Sequence, residues 1–317
     1  MEPSNRDRKI WIDGALVPWE SATVHLLSHS HQRGSLVFDY MSVHDTPRGP
    51  AVFRLGDHVT RFMTSCELVG LPLDYSADAV RAGVIAAVRA NPGARAAKVS
   101  AYLPSIEIDV VPVDARVSLA IAAYDPLKDI ASRKKGTPPF REHLRLFVER
   151  EKRNRRPDII PAQAKVAANY VSPMVAKWRA RRAGYDEIVL LDEDGSLAEG
   201  PTTNLFVIDG QDRVWTPPED HVLLGVTRSS VITLAENEGL EVAEAPLQVD
   251  ALYGATEAFM TGTTAGVWPV ESVDGKALGS APPGPVTERL RQRFRQVVCG
   301  EDPVFAHWLT PVVAGQE

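Results

Sequence analysis

The segment from Val117 to Val148 constrains this chain more than any other. Val117 to Tyr124 is a continuous apolar run of strand length, and Leu144 to Val148 reads as a second strand. Between them stand Asp125-Pro126-Leu127-Lys128 and Arg133-Lys134-Lys135-Gly136-Thr137-Pro138-Pro139. Proline removes a backbone donor and glycine favours turns, so this polar stretch suits neither a helix nor a sheet interior. It divides the sequence into a domain at residues 1–125, a linker at 126–139 and a second domain at 140–317. A length of 317 residues suits two domains, and 44% hydrophobic with 24% charged residues are the proportions of a folded globule.

Both halves mix helices and short strands. Lys9 to Ile12, Asp13-Gly14 and Ala15 to Val17 predict a hairpin, because Asp-Gly accepts the positive φ of a tight turn. Val59, Phe62, Met63, Cys66 and Val69 repeat with helical period over 57–69, with Asp57 as the expected cap and Gly70 and Pro72 as the stop. Ser76 opens another helix through Val80, Val84, Ile85 and Val88. In the second half, Ser172 to Ala183, Thr227 to Glu238 and Val286 to Val298 read as helices. Strands there are separated by turns at Asp192 to Gly195 and Asp209 to Asp212, with a further strand at Glu257 to Met260. So many hairpins do not fit a doubly wound nucleotide fold, and neither G-x-G-x-x-G nor a P-loop is present.

A net charge of −6 argues against a nucleic-acid or anionic-membrane binder. No stretch approaches the ~18 apolar residues of a membrane helix, and the first residues lack a signal-peptide core. Cys66 and Cys299 are the two cysteines, too few for a disulfide framework or a zinc site, so a reducing, cytoplasmic setting and no metal are expected.

Several residues can carry chemistry. Lys165 stands in Pro161-Ala162-Gln163-Ala164-Lys165-Val166-Ala167-Ala168-Asn169-Tyr170, among small uncharged neighbours. A desolvated amine there is a Schiff-base nucleophile; the alternative is a surface lysine. Glu199, before Gly200-Pro201-Thr202-Thr203-Asn204, can keep a heterocyclic nitrogen protonated or be an ordinary solvated carboxylate. Leu224-Gly225-Val226-Thr227 runs into a helix, which makes either an anion site for a phosphate or a plain cap. Thr261-Gly262-Thr263-Thr264 is a second hydroxyl-rich turn. Arg61 can pair with a phosphate or lie solvated on its helix. Arg145, Arg150, Lys152, Arg153, Arg155 and Arg156 form a basic stretch, read either as attraction for an acidic keto acid or as a solvated face balanced by Glu149 and Glu151.

In this order the pieces resemble the fold-type IV pyridoxal-phosphate enzymes, the branched-chain and D-amino-acid aminotransferase family. The matching segments are Ile10 to Gly14, His29 with Gly34-Ser35 and Val37-Phe38, Phe53-Arg54 with His58-Val59-Thr60-Arg61, and Ile160-Pro161 through Lys165 to Asn169-Tyr170. Glu199-Gly200 with Asn204-Leu205-Phe206, Gly225 to Arg228, Phe259 to Thr263 and Gly284 to Thr287 complete them. The resemblance implies a class IV transaminase with an α/β (α+β) fold, a small N-terminal domain and a large C-terminal cofactor-binding domain, with pyridoxal 5′-phosphate (PLP) in the cleft between them. It implies a homodimer, with an amino acid and a 2-keto acid as substrates. Lys165 would hold the cofactor as a lysine aldimine and shuttle the proton. Glu199 would pair with the ring nitrogen and Tyr170 with the phenolic oxygen. Leu223 would pack on the ring, while Arg61, Val226, Thr227 and Thr263 would hold the phosphate.

The expected substrate shell, Arg33, Asp39, Tyr40, Lys98 and Thr264, departs from the branched-chain pattern. Arg33 stands where an aromatic residue is usual, Asp39-Tyr40 where Glu-Gly is, and Lys98-Val99-Ser100 where Tyr-x-Arg is. A branched-chain or other hydrophobic L-amino acid with 2-oxoglutarate as acceptor is the first reading. A D-amino-acid or (R)-amine transaminase, an aminodeoxychorismate-type lyase and a non-catalytic cofactor binder are the alternatives.

Overall fold

The computed structural model describes residues 7–131, 141–279 and 282–312. In chain order the elements are β1 (Lys9–Ile12), β2 (Ala15–Pro18), α1 (His29–Arg33), β3 (Leu36–Thr46), β4 (Gly49–Phe53), α2 (Leu55–Leu68), α3 (Ala77–Arg89), β5 (Ala96–Tyr102) and β6 (Ser118–Tyr124). They continue as β7 (Leu144–Arg153), α4 (Val171–Arg182), β8 (Glu187–Leu191), β9 (Asn204–Ile208), β10 (Val214–Thr216), α5 (Val226–Asn237), β11 (Val242–Glu244) and α6 (Val249–Tyr253). The last are β12 (Glu257–Gly262), β13 (Gly266–Val273), β14 (Lys276–Ala277), α7 (Pro285–Val298) and β15 (Leu309–Pro311).

The chain divides into two compact units: residues 1–139, 164–168 and 298–317 form one, and residues 140–163 and 169–297 the other. Of the expected linker, residues 132–139 lie outside the described residues. Pro126 to Ile130 form a short helical turn whose start is capped by the Asp125 side chain, and Asp129 in it is buried against Arg8, 3.0 Å from Nε.

The first unit is built on a seven-stranded antiparallel sheet ordered β15-β4-β3-β5-β6-β1-β2. Its alternation is that of a sheet covered on one side by helices. Val37 and Met41 of β3, Val99 and Ala101 of β5, and Ile121 and Ala123 of β6 are buried, with Val59, Phe62 and Cys66 of α2 and Val80, Val84 and Val88 of α3. The Ser76 hydroxyl accepts from the Ala79 N–H and starts α3 as expected. The start of α2 differs: it begins at Leu55, two residues before Asp57. Arg54 sits there at φ 46° with its guanidinium on the Asp57 carboxylate, so Asp57 pairs with a cation and does not cap.

The second unit carries a sheet ordered β11-β10-β9-β12-β13-β7-β8, with β14 paired to β13. The pairs β10–β11, β13–β7 and β7–β8 are parallel and the others antiparallel. Strands β8 and β9 are buried along their whole length, as continuous apolar runs require. Phe206 and Phe259 stack at 4.8 Å on neighbouring strands. Glu257 accepts from the Val286 and Thr287 N–H groups, at 3.0 and 2.7 Å, and so caps α7 from within the sheet.

Candidate active site

In the first unit β4 pairs with β3 only along Val43 to Thr46. The rest of that edge is taken by the chain around Lys165. Val166 lies antiparallel opposite Val37. The Phe38 N–H donates to the Lys165 carbonyl at 3.0 Å, and the Lys165 N–H donates to Ser65 Oγ of α2 at 3.1 Å. With Val166 opposite Val37, Lys165 falls beside Phe38 on the same face of the sheet. Its Nζ lies 5.1 Å from the Phe38 ring centroid. Across β3 and β5, Tyr40 is opposite Lys98 and Phe38 opposite Ser100. All four are half-buried, and Lys98 Nζ is 4.6 Å from the centroid of that same Phe38 ring. Attraction between an ammonium and an aromatic face seats both amines.

Asp39 belongs to the opposite face. The period of two that points Phe38 and Tyr40 one way turns Asp39 toward the helices, where it is wholly buried. Arg61 Nε and Nη2 each donate to it at 2.8 Å, and His58 Nδ1 lies 2.7 Å from Oδ1. Burial pushes the Asp39 carboxyl up, but Arg61 and then His58 outweigh it and hold the group well below the usual carboxylate range. Burial pushes His58 below its ordinary value despite Asp39. Asp39 therefore supports Arg61 from the helix side, and Arg61 is not the solvated helix arginine that was its alternative. Arg33, at the end of α1, donates from Nη2 to the Ile108 carbonyl at 2.6 Å.

In the second unit Glu199 is 4% exposed and is held by three N–H donors. Arg155 Nη1 donates to Oε1 at 2.6 Å; Asn204 Nδ2 and the Leu223 N–H donate to Oε2 at 3.2 Å each. The solvated-carboxylate alternative is thereby excluded. The same Asn204 amide donates to the Leu223 carbonyl at 3.0 Å, tying the Leu223 segment to the start of β9. Gly225 follows, and α5 begins at Val226 without a side-chain cap. A Cβ at Gly225 would lie 2.1 Å from Asn204 Oδ1, so only glycine fits. Val226 and Thr227 are buried in the first turn of α5, Thr263 is half-buried past β12, and Thr264 is exposed. Nearby on β12 and before β9, the buried hydroxyls of Thr261 and Thr203 have no hydrogen-bond partner. Buried polar groups are normally satisfied, so such orphans mark a place prepared for a polar ligand. Tyr170 lies half-buried under the Arg155 guanidinium, 5.2 Å from its ring centroid.

Arg155 is the functional neighbour that residue types alone did not distinguish. Nothing in the basic stretch separates it from Arg153 and Arg156; only the fold brings Glu199 to it. The stretch as a whole is neither one positive field nor a face balanced by Glu149 and Glu151. Arg145 pairs with Asp186, Arg150 with Asp274 and Arg156 with Asp158, while Glu149 and Glu151 are both taken by Arg179 of α4.

The profile of the family described as Amino-transferase class IV matches residues 36–273. The branched-chain-amino-acid aminotransferase of Pseudomonas aeruginosa is 34% identical over 98% of this chain and 100% of its own length. That of Escherichia coli (strain K12) is 35% identical over 96% and 97%. Among solved structures, the branched-chain amino acid aminotransferase of Thermobaculum terrenum in its PLP form superposes with a TM-score of 0.86 at 29% identity, over 98% of this chain and 100% of that one. The mixed α/β architecture with its two sheets is thus that of the fold-type IV enzymes, which work with pyridoxal phosphate. The chain belongs to the class IV amino-transferases.

Proposed function

We propose that the protein moves the amino group of a branched-chain or other hydrophobic L-amino acid to a 2-keto acid such as 2-oxoglutarate. The observation that carries this reading is the seat of Lys165: its N–H and C=O are both pinned and its amine rests on an aromatic ring. The likeness along the whole chain to two branched-chain aminotransferases supports the donor class.

The residues fit PLP by the chemistry of their donors: an amine, a buried carboxylate braced by N–H groups, and an uncapped helix start with orphaned hydroxyls close by. Bound PLP supplies an aldehyde for the amino group and a ring that spreads the charge left at the substrate Cα. Lys165 would take the proton from the substrate Cα and give it back. Glu199 would keep the ring nitrogen protonated, and Tyr170 would serve the phenolic oxygen. Arg61, the N–H groups of Val226 and Thr227, and Thr263 would hold the phosphate, and Leu223 would pack on the ring. Asp39 and His58 keep the Arg61 guanidinium in place. Among the described residues no helix is long and apolar enough to cross a membrane. We further propose a homodimer in the cytoplasm; the free thiols of Cys66 and Cys299 suit a reducing compartment.

The test is a half-reaction. The protein loaded with PLP is mixed separately with L-leucine, D-alanine and (R)-1-phenylethylamine while its visible band is followed. Bleaching by L-leucine is expected. Bleaching by D-alanine or the amine alone would replace the L-donor reading with a D-amino-acid or amine transaminase. Lys165→Ala is expected to remove both the band and turnover while the protein stays folded; turnover that survives would take the role from Lys165.

A further inference from the structure

We propose that His221 is a positioning residue, which through Asn154 and Asp192 keeps the Leu223 N–H on the Glu199 carboxylate. This rests on the reading above, in which Glu199 serves the ring nitrogen and Leu223 packs on the ring, and adds a residue that touches neither. Glu199 is aimed by donors from two separate segments of the second unit: Arg155, just past β7, and Leu223, just before α5. A carboxylate held in this way keeps its direction while those two segments keep their distance. From Pro217 to Gly225 the regular structure is a single 3-10 turn at Glu219–His221, so side-chain bonds decide where Leu223 lies.

The same two segments are joined a second time, one residue before Arg155 and two residues before Leu223. Asn154 Nδ2 donates to the His221 carbonyl at 2.7 Å and to Asp192 Oδ1 at 3.2 Å. The other Asp192 oxygen, Oδ2, lies 2.6 Å from His221 Nδ1 and accepts from it. Asn154 and Asp192 are themselves fixed: the Asn154 N–H donates to the Leu191 carbonyl and the Asp192 N–H to the Ser196 carbonyl, each at 2.9 Å. Gln163 also reaches this turn, through the Glu219 and Asp220 carbonyls, but those bonds are exposed, whereas Asn154 is buried. A bond lost from a buried group costs more, so the Asn154–Asp192–His221 clasp carries the position.

The clasp is charge-assisted. Three carboxylates face His221: Asp192 past β8, Asp194 in the following turn, and its chain neighbour Asp220. Burial pushes the imidazole down, but Asp192, then Asp220 and Asp194, outweigh it and hold it above its ordinary 6.5. An imidazolium on a carboxylate makes a bond about twice as strong as a neutral one. A group raised on folding lends its stability below the unfolded value and loses it as the pH rises through the folded one. The clasp is therefore tight just below about pH 6.5 and loosens above it. Its acid limit is the protonation of Asp192, which burial pushes up against His221 and Asn154.

The experiment follows deuterium uptake over residues 219–226 of the PLP-loaded protein at about pH 6 and about pH 8.5, corrected for intrinsic exchange, with loss of PLP on dialysis alongside. In His221→Ala, uptake there and loss of PLP are expected to be about 10-fold faster near pH 6, which is ~1.4 kcal/mol. Uptake in β9 and β12 stays that of the wild type. His221→Asn sets an amide N–H where Nδ1 stood. It is expected to restore most of the protection and to abolish the few-fold loosening that the wild type shows at the higher pH. Unchanged uptake over 219–226 in His221→Ala overturns the assignment, and so does faster uptake spread evenly over the second unit, which marks an ordinary packing residue. A pH difference that persists in His221→Asn removes the charge from its role. A protein that responds as expected but that no amino donor bleaches keeps the clasp and loses amino transfer; bleaching by L-leucine with unchanged uptake in His221→Ala does the reverse.

Discussion

Replacing Arg155 by methionine tests the brace under Glu199. The two side chains are 6% and 4% exposed and 2.6 Å apart, so the change leaves a carboxylate buried without its cation. Breaking a buried pair from one side costs about 3–5 kcal/mol. The Asn204 and Leu223 donors remain on Oε2, but at 3.2 Å they are long and offset little. We therefore expect Arg155→Met to lose about 3 kcal/mol, read as a lower urea midpoint at constant slope. Glu199→Gln alone strands the guanidinium and also destabilises. The double variant removes both charges and is expected to be more stable than the sum of the single effects by about 2 kcal/mol. The same loss frees the carboxylate to turn, so Arg155→Met also releases PLP faster on dialysis. Arg155→Lys restores part of both, since a point charge reaches Glu199 but cannot also lie flat over Tyr170. Additive single and double effects within ~0.5 kcal/mol, together with unchanged cofactor retention, would refute the coupling.

Asp39→Asn is expected to cost about 3 kcal/mol at pH 7, because Arg61 loses a buried counter-charge. Since Asp39 is held below the unfolded carboxylate value of about 3.9, its contribution is complete above that value and is lost as the pH falls below it toward the folded one. The thermal midpoints of wild type and variant should thus converge below about pH 4, the window set by about 3.9 unfolded and a depressed folded group; a constant gap to ~pH 3 would show an ordinary carboxyl. Gly225→Ala drives a Cβ against Asn204 Oδ1 and displaces the amide that holds both Glu199 and Leu223. A loss of about 1–3 kcal/mol in the urea midpoint, with weaker PLP retention, is expected; a variant unchanged in both would mean that the loop yields without cost.

Much of this protein is legible from residue order. Helical spacing announces α2 and α3, the apolar run announces β6, and Asp13-Gly14 marks the hairpin, because turn chemistry and hydrophobic spacing act over a few residues. Lys165, Glu199 and the Gly225 turn are each ordinary taken alone; it is their order along the chain, which resembles the family, that makes them stand out. The pairing of charges is not legible. Asp57 has the position of a helix cap, yet it pairs with Arg54. Glu149 and Glu151 alternate with cations on β7, yet both are held by an arginine of α4. Asp39 adjoins Tyr40 in the chain and was expected with it and Lys98 at the substrate, yet it faces the other way.

Sequence alone determined which residue types the chemistry has to work with and which elements carry them, since those follow from short-range propensity. Only the tertiary structure decided which of six neighbouring cations reaches Glu199, and that Lys98 and Lys165 come to the same Phe38 ring. Ion pairs and shared faces join residues tens of positions apart, and a single step of strand register turns a side chain from one face to the other.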